Sequence, residues 1–217
     1  MKFANVRIAG IVSQPFAQNT FVVHREDRGD CLVVDPGLEP GKILGYLDEQ
    51  RLEPAALLIT HGHSDHIGGN AALKQRWPEC PIVIGHGDAD KLTDPEKNLS
   101  GPFGLPMTSP PADALVGEGD VWEAAGFELE VHEIPGHSSG HVVYVCRQQE
   151  PAFVLGGDVL FAGSIGRTDF PDGSFEALAA GIRKHLYSLP DDTIILPGHG
   201  PRTTVGREKA SNPFVAG

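Results

Sequence analysis

The sequence predicts an α/β (α+β) protein built as a four-layer αββα sandwich. Short apolar runs at Ala55–Ile59, Phe127–Ile134, Ala152–Leu155 and Thr193–Leu196 are too brief for helices and suit buried strands. Each run ends on a turn that carries a metal-competent side chain, so two similar halves of the chain feed a common edge. Helical patterns fall at 40–51 and 173–189, and no linker-like stretch divides the chain, so residues 1–217 read as one domain.

From the N-terminus, residues 3–35 cluster apolar side chains at Val6-x-Ile8, Phe21–Val23 and Cys31–Val34. Gly29-Asp30 stands between two of these as a hairpin turn would, which predicts an antiparallel opening sheet. His24, among charged neighbours, is expected at the surface. Asp35 ends a strand, either as a turn aspartate or as a carboxylate that orients a metal-binding imidazole. Residues 40–51 place Ile43, Leu44 and Leu47 on one helical face. Ala55–Ile59 then leads into His61, His63, Asp65 and His66, four metal-competent side chains within six residues. Imidazole and carboxylate suit zinc, iron or manganese. His-x-His sets both rings on one side of an extended segment. Asp65 and His66 turn toward a second position, a spacing that suits two ions. A helix is expected from Ile67 to about Trp77.

Pro81–Ile84 is a further short strand, and His86 beyond it is assigned no metal. Thr93–Gly117 holds five prolines, no periodicity, and apolar Phe103, Leu105 and Met107. A loop this long is commonly functional or mobile. It reads equally as a wall beside the metals or as a surface arm packed on its own domain or on a second subunit. Residues 120–145 are strand-like around Pro135-Gly136-His137, with His132 and His141 expected to be structural. Gly156-Gly157-Asp158 and Pro197-Gly198-His199 close the last two runs, and small residues before each ligand let backbone approach closely. The helix at 173–189 carries Phe175, Leu178, Ile182 and Leu186 as a stripe, with His185 beside it in no special role.

These motifs, His-x-His-x-Asp-His, Pro-Gly-His, Gly-Asp and Pro-Gly-His-Gly, together resemble the metallo-β-lactamase superfamily from about Asn19 to Phe214. The resemblance implies the same αββα sandwich. It places His61, His63 and His137 on a first metal, Asp65, His66 and His199 on a second, and Asp158 between them. Gly156–Phe161 and Gly166-Arg167-Thr168-Asp169-Phe170 look like the glyoxalase II branch. The ending, Pro197–Pro201 through Asn212-Pro213-Phe214, is similar to its short, single-domain bacterial members, hydroxyacylglutathione hydrolases. The implied cofactors are two divalent ions, zinc first, with iron or manganese as alternatives. The implied reaction is hydrolysis of S-lactoylglutathione or a related acyl-glutathione thioester by a metal-bridging hydroxide. Asp65 would orient that hydroxide and take its proton. Arg167 matches a basic position and is expected either to bind a substrate carboxylate or to pair with Asp169. Typical members hold glutathione with a helical domain after the last histidine, whereas 18 residues follow His199 here. The ligand set lacks the cysteine that β-lactamases of this superfamily use at the second metal. The segment Gly166–Phe170 also looks like the persulfide dioxygenase branch, which would hold one iron on His61, His137 and Asp158 and act on glutathione persulfide.

Bulk properties narrow the partners. The net charge of −12 over 217 residues argues against DNA or RNA and against a nuclease of the same fold. No run approaches the roughly 18 apolar residues of a membrane span, and no basic-then-apolar leader opens the chain. Cys31, Cys80 and Cys146, odd in number and set in or beside apolar runs, read as buried thiols in a reducing compartment. The expectation is a cytoplasmic enzyme with a small-molecule thioester substrate and neither nucleic-acid nor membrane partner. The oligomeric state stays open. Asn98-Leu99-Ser100 matches a glycosylation acceptor.

Overall fold

Two six-stranded sheets face one another across an apolar layer, with helices on both outer faces. The computed structural model describes residues 5–217, so Phe3 and Ala4 of the opening stretch lie outside the described residues. The first sheet is ordered β1 (Val6–Ser13), β2 (Gln18–Arg25), β3 (Asp30–Val34), β4 (Glu53–Ile59), β5 (Ile82–Gly85) and β6 (Ala114–Val116). Its first three strands are antiparallel, as the Gly29-Asp30 turn implies, and the rest are parallel. Parallel strands need crossovers, and α1 (Pro40–Gln50), α2 (Ser64–Ile67) and α3 (Asn70–Arg76) lie in them. The second sheet uses β7 (Val121–Ala124), β8 (Phe127–Glu133), β9 (Val142–Cys146) and β10 (Phe153–Gly157). A small hairpin, β11 (Leu160–Phe161) and β12 (Ser164–Ile165), and helix α4 (Phe175–Gly181) precede β13 (Ile194–Pro197), β14 (Thr203–Thr204) and α5 (Val205–Ser211). The spatial order is β14-β13-β10-β9-β8-β7.

Strand β4 shows why its run is apolar without a break. Ala56 and Leu58 face the layer between the sheets, while Leu57 and Ile59 face the helices with Ile43, Leu47 and Leu73. A strand buried on both faces has no polar side to alternate with. β9 repeats the arrangement, with Tyr144 between the sheets and Val143 and Val145 toward Leu178 and Ile182. The ends of the two sheets are tied at one edge. The Val142 amide donates to the Thr60 carbonyl at 2.8 Å, and the Asn19 amide donates to the Gly198 carbonyl at 2.7 Å.

Several expectations need correction. The helix after the metal motif begins already at Ser64, so Asp65 and His66 lie in its first turn, and it breaks at Gly68-Gly69. The loop before α1 presses there: a Cβ on Gly69 would stand 2.9 Å from the Gly37 carbonyl oxygen. His24 is buried, not at the surface, because β1 and β3 flank its strand, while Glu26 and Asp27 belong to the turn beyond Arg25, the last strand residue. Strand β6 occupies the end of the stretch read as loop, and Met107 and Ala112 pack on the core beside α1 and α3. The stripe of the 173–189 helix holds at Leu178, Ile182 and Leu186, but Phe175 at the helix start is exposed. That helix continues from α4 through a π-helical turn, Ile182–Leu186. The three cysteines are buried and unpaired, as expected. Asn98 is buried and donates from Nδ2 to the Met107 carbonyl, which closes it to glycosylation. No helix among the described residues is long and apolar enough to cross a membrane.

The two sides of α1 provide a test. Leu47 is fully buried and Leu44 only half-buried. Leu47→Ala is expected to cost about 2–5 kcal/mol in denaturant unfolding, and Leu44→Ala well under half of that. Equal losses would mean that the helix face is misassigned.

Candidate metal centre

At the tied edge, four turns bring seven donors together. His61, His63 and His137 converge in one group, and Asp65, His66 and His199 in another, each with its donor atoms within 4.8 Å of one another. Asp158 stands between them. Its Oδ2 lies 3.5 Å from Nε2 of both His137 and His199, and its Oδ1 lies 3.5 Å from His66 Nε2. Nε2 of His61, His63 and His66 and Oδ1 of Asp158 are buried without any hydrogen-bond partner. Orphaned buried polar atoms are costly. Inward-facing nitrogens and a carboxylate at these spacings suit divalent cations, so the donor set fits metal ions.

Glycines make the convergence sterically feasible. A Cβ on Gly198 would stand 2.2 Å from Asp158 Oδ1, and one on Gly157 would stand 2.3 Å from Thr60 Oγ1. Gly157 also takes φ +47°, where a side chain is strained.

Four of the five rings are held from behind. Nδ1 of His137 donates to the Arg167 carbonyl at 2.8 Å, and Nδ1 of His199 donates to the Phe16 carbonyl at 3.1 Å. His66 Nδ1 donates to Asp35 Oδ2 at 3.0 Å, and His61 Nδ1 faces Thr60 Oγ1 at 3.1 Å. Such partners fix the tautomer and aim the other nitrogen inward. Of the two readings of Asp35, the orienting carboxylate is the one the geometry matches. Asp35 also accepts from the Thr60 amide and hydroxyl, both at 2.7 Å.

The electrostatics of the site ask for cations. Burial alone would lower the His66 imidazolium, but Asp65, Asp158 and Asp35 outweigh it and push His66 up to about 10. Burial would raise Asp65, yet His66 and His199 hold it well below the usual carboxylate range. His61 is driven far down by burial and by the neighbouring rings.

Some participants were not legible in the sequence. Asp88 is wholly buried. Its Oδ2 accepts from the Gly62 amide at 2.8 Å and from Ser138 Oγ, and its Oδ1 accepts from the Gly140 amide at 2.8 Å. One carboxylate therefore clamps the His61–His63 turn to the His137 turn. Buried Lys91 neutralises it at 3.2 Å and also pairs with Asp172. His141, expected to be structural, accepts from the Asp158 amide at 3.0 Å and stacks on His61. His86 is exposed and bonds the Val116 carbonyl, away from the donors.

A cleft of about 340 Å³ opens over the donors. Its walls include Phe16, Leu99, Phe103, Phe161 and Phe170, together with Arg167. The loop at 93–117 therefore both walls the site, through Asn98, Leu99 and Phe103, and packs on the core through Met107. Arg167 spans Asp169 with two hydrogen bonds of 2.9 Å and lies over the Phe170 ring at 4.6 Å.

The family model described as Metallo-beta-lactamase superfamily matches residues 13–199. The Haemophilus influenzae hydroxyacylglutathione hydrolase GloC is 38% identical over 214 residues, covering 97% of this chain and 98% of that protein. The crystal structure of the BLEG-1 B3 metallo-beta-lactamase superposes with a TM-score of 0.92 at 35% identity, over 97% of this chain and all of that one. TTHA1623, solved in a di-iron-bound form, superposes with a TM-score of 0.82 at 35% identity, over 95% and 100% of the two chains. By family match, by two-sheet architecture and by the His/Asp donor clusters at one sheet edge, the chain belongs to the metallo-beta-lactamase superfamily, as one of its metal-dependent hydrolases.

Proposed function

We propose that the protein is a dinuclear hydrolase of acyl-glutathione thioesters, with S-lactoylglutathione as the type substrate. The observation that carries this reading is the pairing of two donor groups through Asp158, with four buried donor atoms left unsatisfied. His61, His63 and His137 would hold one ion, Asp65, His66 and His199 the other, and Asp158 both. The similarity to GloC along nearly the whole of both chains supports the thioester. When bound, two divalent ions lower the pKa of a shared water toward neutrality and polarise a substrate carbonyl. Zinc suits the donors, and the di-iron form of TTHA1623 keeps iron beside it, with manganese as a third candidate.

The chain's own residues supply the rest. Asp65 stays ionised and lines the cleft, where it can accept a hydrogen bond from the attacking water, orient it and take its proton. The phenylalanine walls offer an apolar surface to the thioester. Arg167 is the cation lining the cleft, and its exposed pair with Asp169 is weak enough to exchange for a substrate carboxylate. Two other chemistries of the superfamily are held against this reading. A mononuclear persulfide dioxygenase would use only His61, His137 and Asp158 and leave the other four donors without metal; the convergence of Asp65, His66 and His199 on one point supports the two-ion reading. β-Lactam hydrolysis is favoured by the likeness to BLEG-1 and disfavoured by the GloC relative.

Metal content of fresh protein, measured beside turnover of S-lactoylglutathione, a β-lactam and glutathione persulfide, decides among the three. About two ions per chain with thioester turnover is the expected result. One iron with oxygen uptake, or turnover of the β-lactam alone, would overturn the proposal. Asp158→Asn is expected to lose metal and turnover together, and Asp35→Asn to lose about 10–100-fold in metal affinity or activity.

A protonated imidazole cannot ligate, and His66, raised to about 10, holds its proton at neutral pH. Loading with zinc at pH 7 should therefore release protons, seen as a buffer-dependent heat, and affinity should fall as the pH is lowered. No buffer dependence would contradict that charge distribution.

Arg167→Ala should raise KM for an anionic thioester more than it lowers kcat. Its carbonyl hold on His137 is untouched by the change. Asp169→Ala, which frees the guanidinium, should lower the same KM a few-fold. Identical effects on a neutral ester would exclude carboxylate recognition.

A further inference from the structure

A second constellation of metal-ligand type lies on the outer side of the second sheet. His132 on β8, Glu118 in the turn before β7 and His185 in the π-helical turn after α4 place three donor atoms within 4.8 Å of one another. The two rings stack at 4.7 Å between centroids. Glu118 Oε1 is 3.5 Å from His132 Nδ1 and 3.7 Å from His185 Nδ1. These separations exceed an ordinary hydrogen bond, which spans about 2.7–3.2 Å. They approach the edge of a tetrahedron about an ion bonded at ~2.1 Å, which is ~3.4 Å. The donors proposed for the hydrolytic centre stand at the same 3.5 Å spacing about Asp158.

Further observations point to a ligand. His132 Nδ1 is buried without a hydrogen-bond partner, and His185 is only 8% exposed. The outer His132 nitrogen, Nε2, faces Glu130 at 3.7 Å, and Arg147 anchors that carboxylate at 2.8 and 2.9 Å. At 3.7 Å this contact, too, is longer than a hydrogen bond, so Glu130 commits neither ring nitrogen. The remaining Glu118 oxygen accepts from the Glu133 amide at 2.8 Å, which turns Oε1 toward the rings. Lys184, the cation near Glu118 at 4.0 Å, is mostly exposed and free to turn outward.

We propose that His132 Nδ1, His185 Nδ1 and Glu118 Oε1 form an auxiliary site for a divalent transition-metal ion such as zinc, copper or nickel, completed by water and separate from the hydrolytic centre. Two imidazoles and one carboxylate suit this class of ion. The ion would staple the turn before β7 and the helix after α4 onto β8. The proposal does not depend on the thioesterase reading.

The test uses holoenzyme with its hydrolytic centre already loaded, titrated with Zn²⁺ by equilibrium dialysis while the thermal midpoint is followed. Wild type is expected to take up one further ion per chain with a rise in midpoint. His132→Gln and Glu118→Gln, chosen to keep side-chain volume, should weaken that uptake at least tenfold and abolish the rise, with thioester turnover unchanged. A Cu²⁺ titration should give an electron-paramagnetic signal with nitrogen splitting that His132→Gln diminishes. No additional ion in wild type, or equal uptake and equal shift in wild type and both variants, would overturn the site. Unchanged turnover shows that each variant is folded, so a loss of binding in it counts for the proposal.

Discussion

The demand that shapes this molecule is the gathering of five imidazoles and two carboxylates at one buried sheet edge. Such groups repel or desolvate one another unless cations sit among them and their outer atoms are satisfied. The chain meets the second condition residue by residue. Each of His61, His66, His137 and His199 has a hydroxyl, carboxylate or carbonyl behind it. It meets the geometric condition by removing side chains where backbones must close in, at Gly157 and Gly198.

The clamp formed by Asp88 belongs to the same demand. The two His-bearing turns come from different sheets, and their relative position sets where the donors fall. A single carboxylate accepts from both, and Lys91 beneath it balances the charge. A buried pair of this kind contributes little net stability, because desolvation offsets the attraction. Its effect is positional: it fixes one turn against the other within the length of a hydrogen bond.

The fold class and the donor residues were legible because each depends on local pattern. A run buried on both faces is continuous in sequence, and its ligand comes right after it, as at Ile59 and His61 or Leu155 and Asp158. Asp88 was not legible, since Gly140 and Ser138 stand about fifty residues away and nothing in His86-Gly87-Asp88 announces them. His24 misled because the charges after it, Arg25 to Asp27, mark where its strand ends, whereas its burial is set by β1 and β3 on either side. His132 and His185 each look like an isolated histidine, and only the packing of the helix on β8 brings them face to face. The break at Gly68-Gly69 has its cause in the loop before α1, remote from the helix it interrupts.

The proline-rich segment does more than wall the cleft. The Ser64 amide donates to the Asn98 carbonyl at 3.0 Å, and Asn98 is itself locked to Met107. Leu99, the next residue, lines the cleft, while Asp65 follows Ser64. The cleft wall at Leu99 and the Asp65 carboxylate of the donor cluster are thus joined by one hydrogen bond. A guest that levers Leu99 outward strains the same strut that sets the height of Asp65. Fit in the cleft and the placement of Asp65 are in that way a single mechanical adjustment.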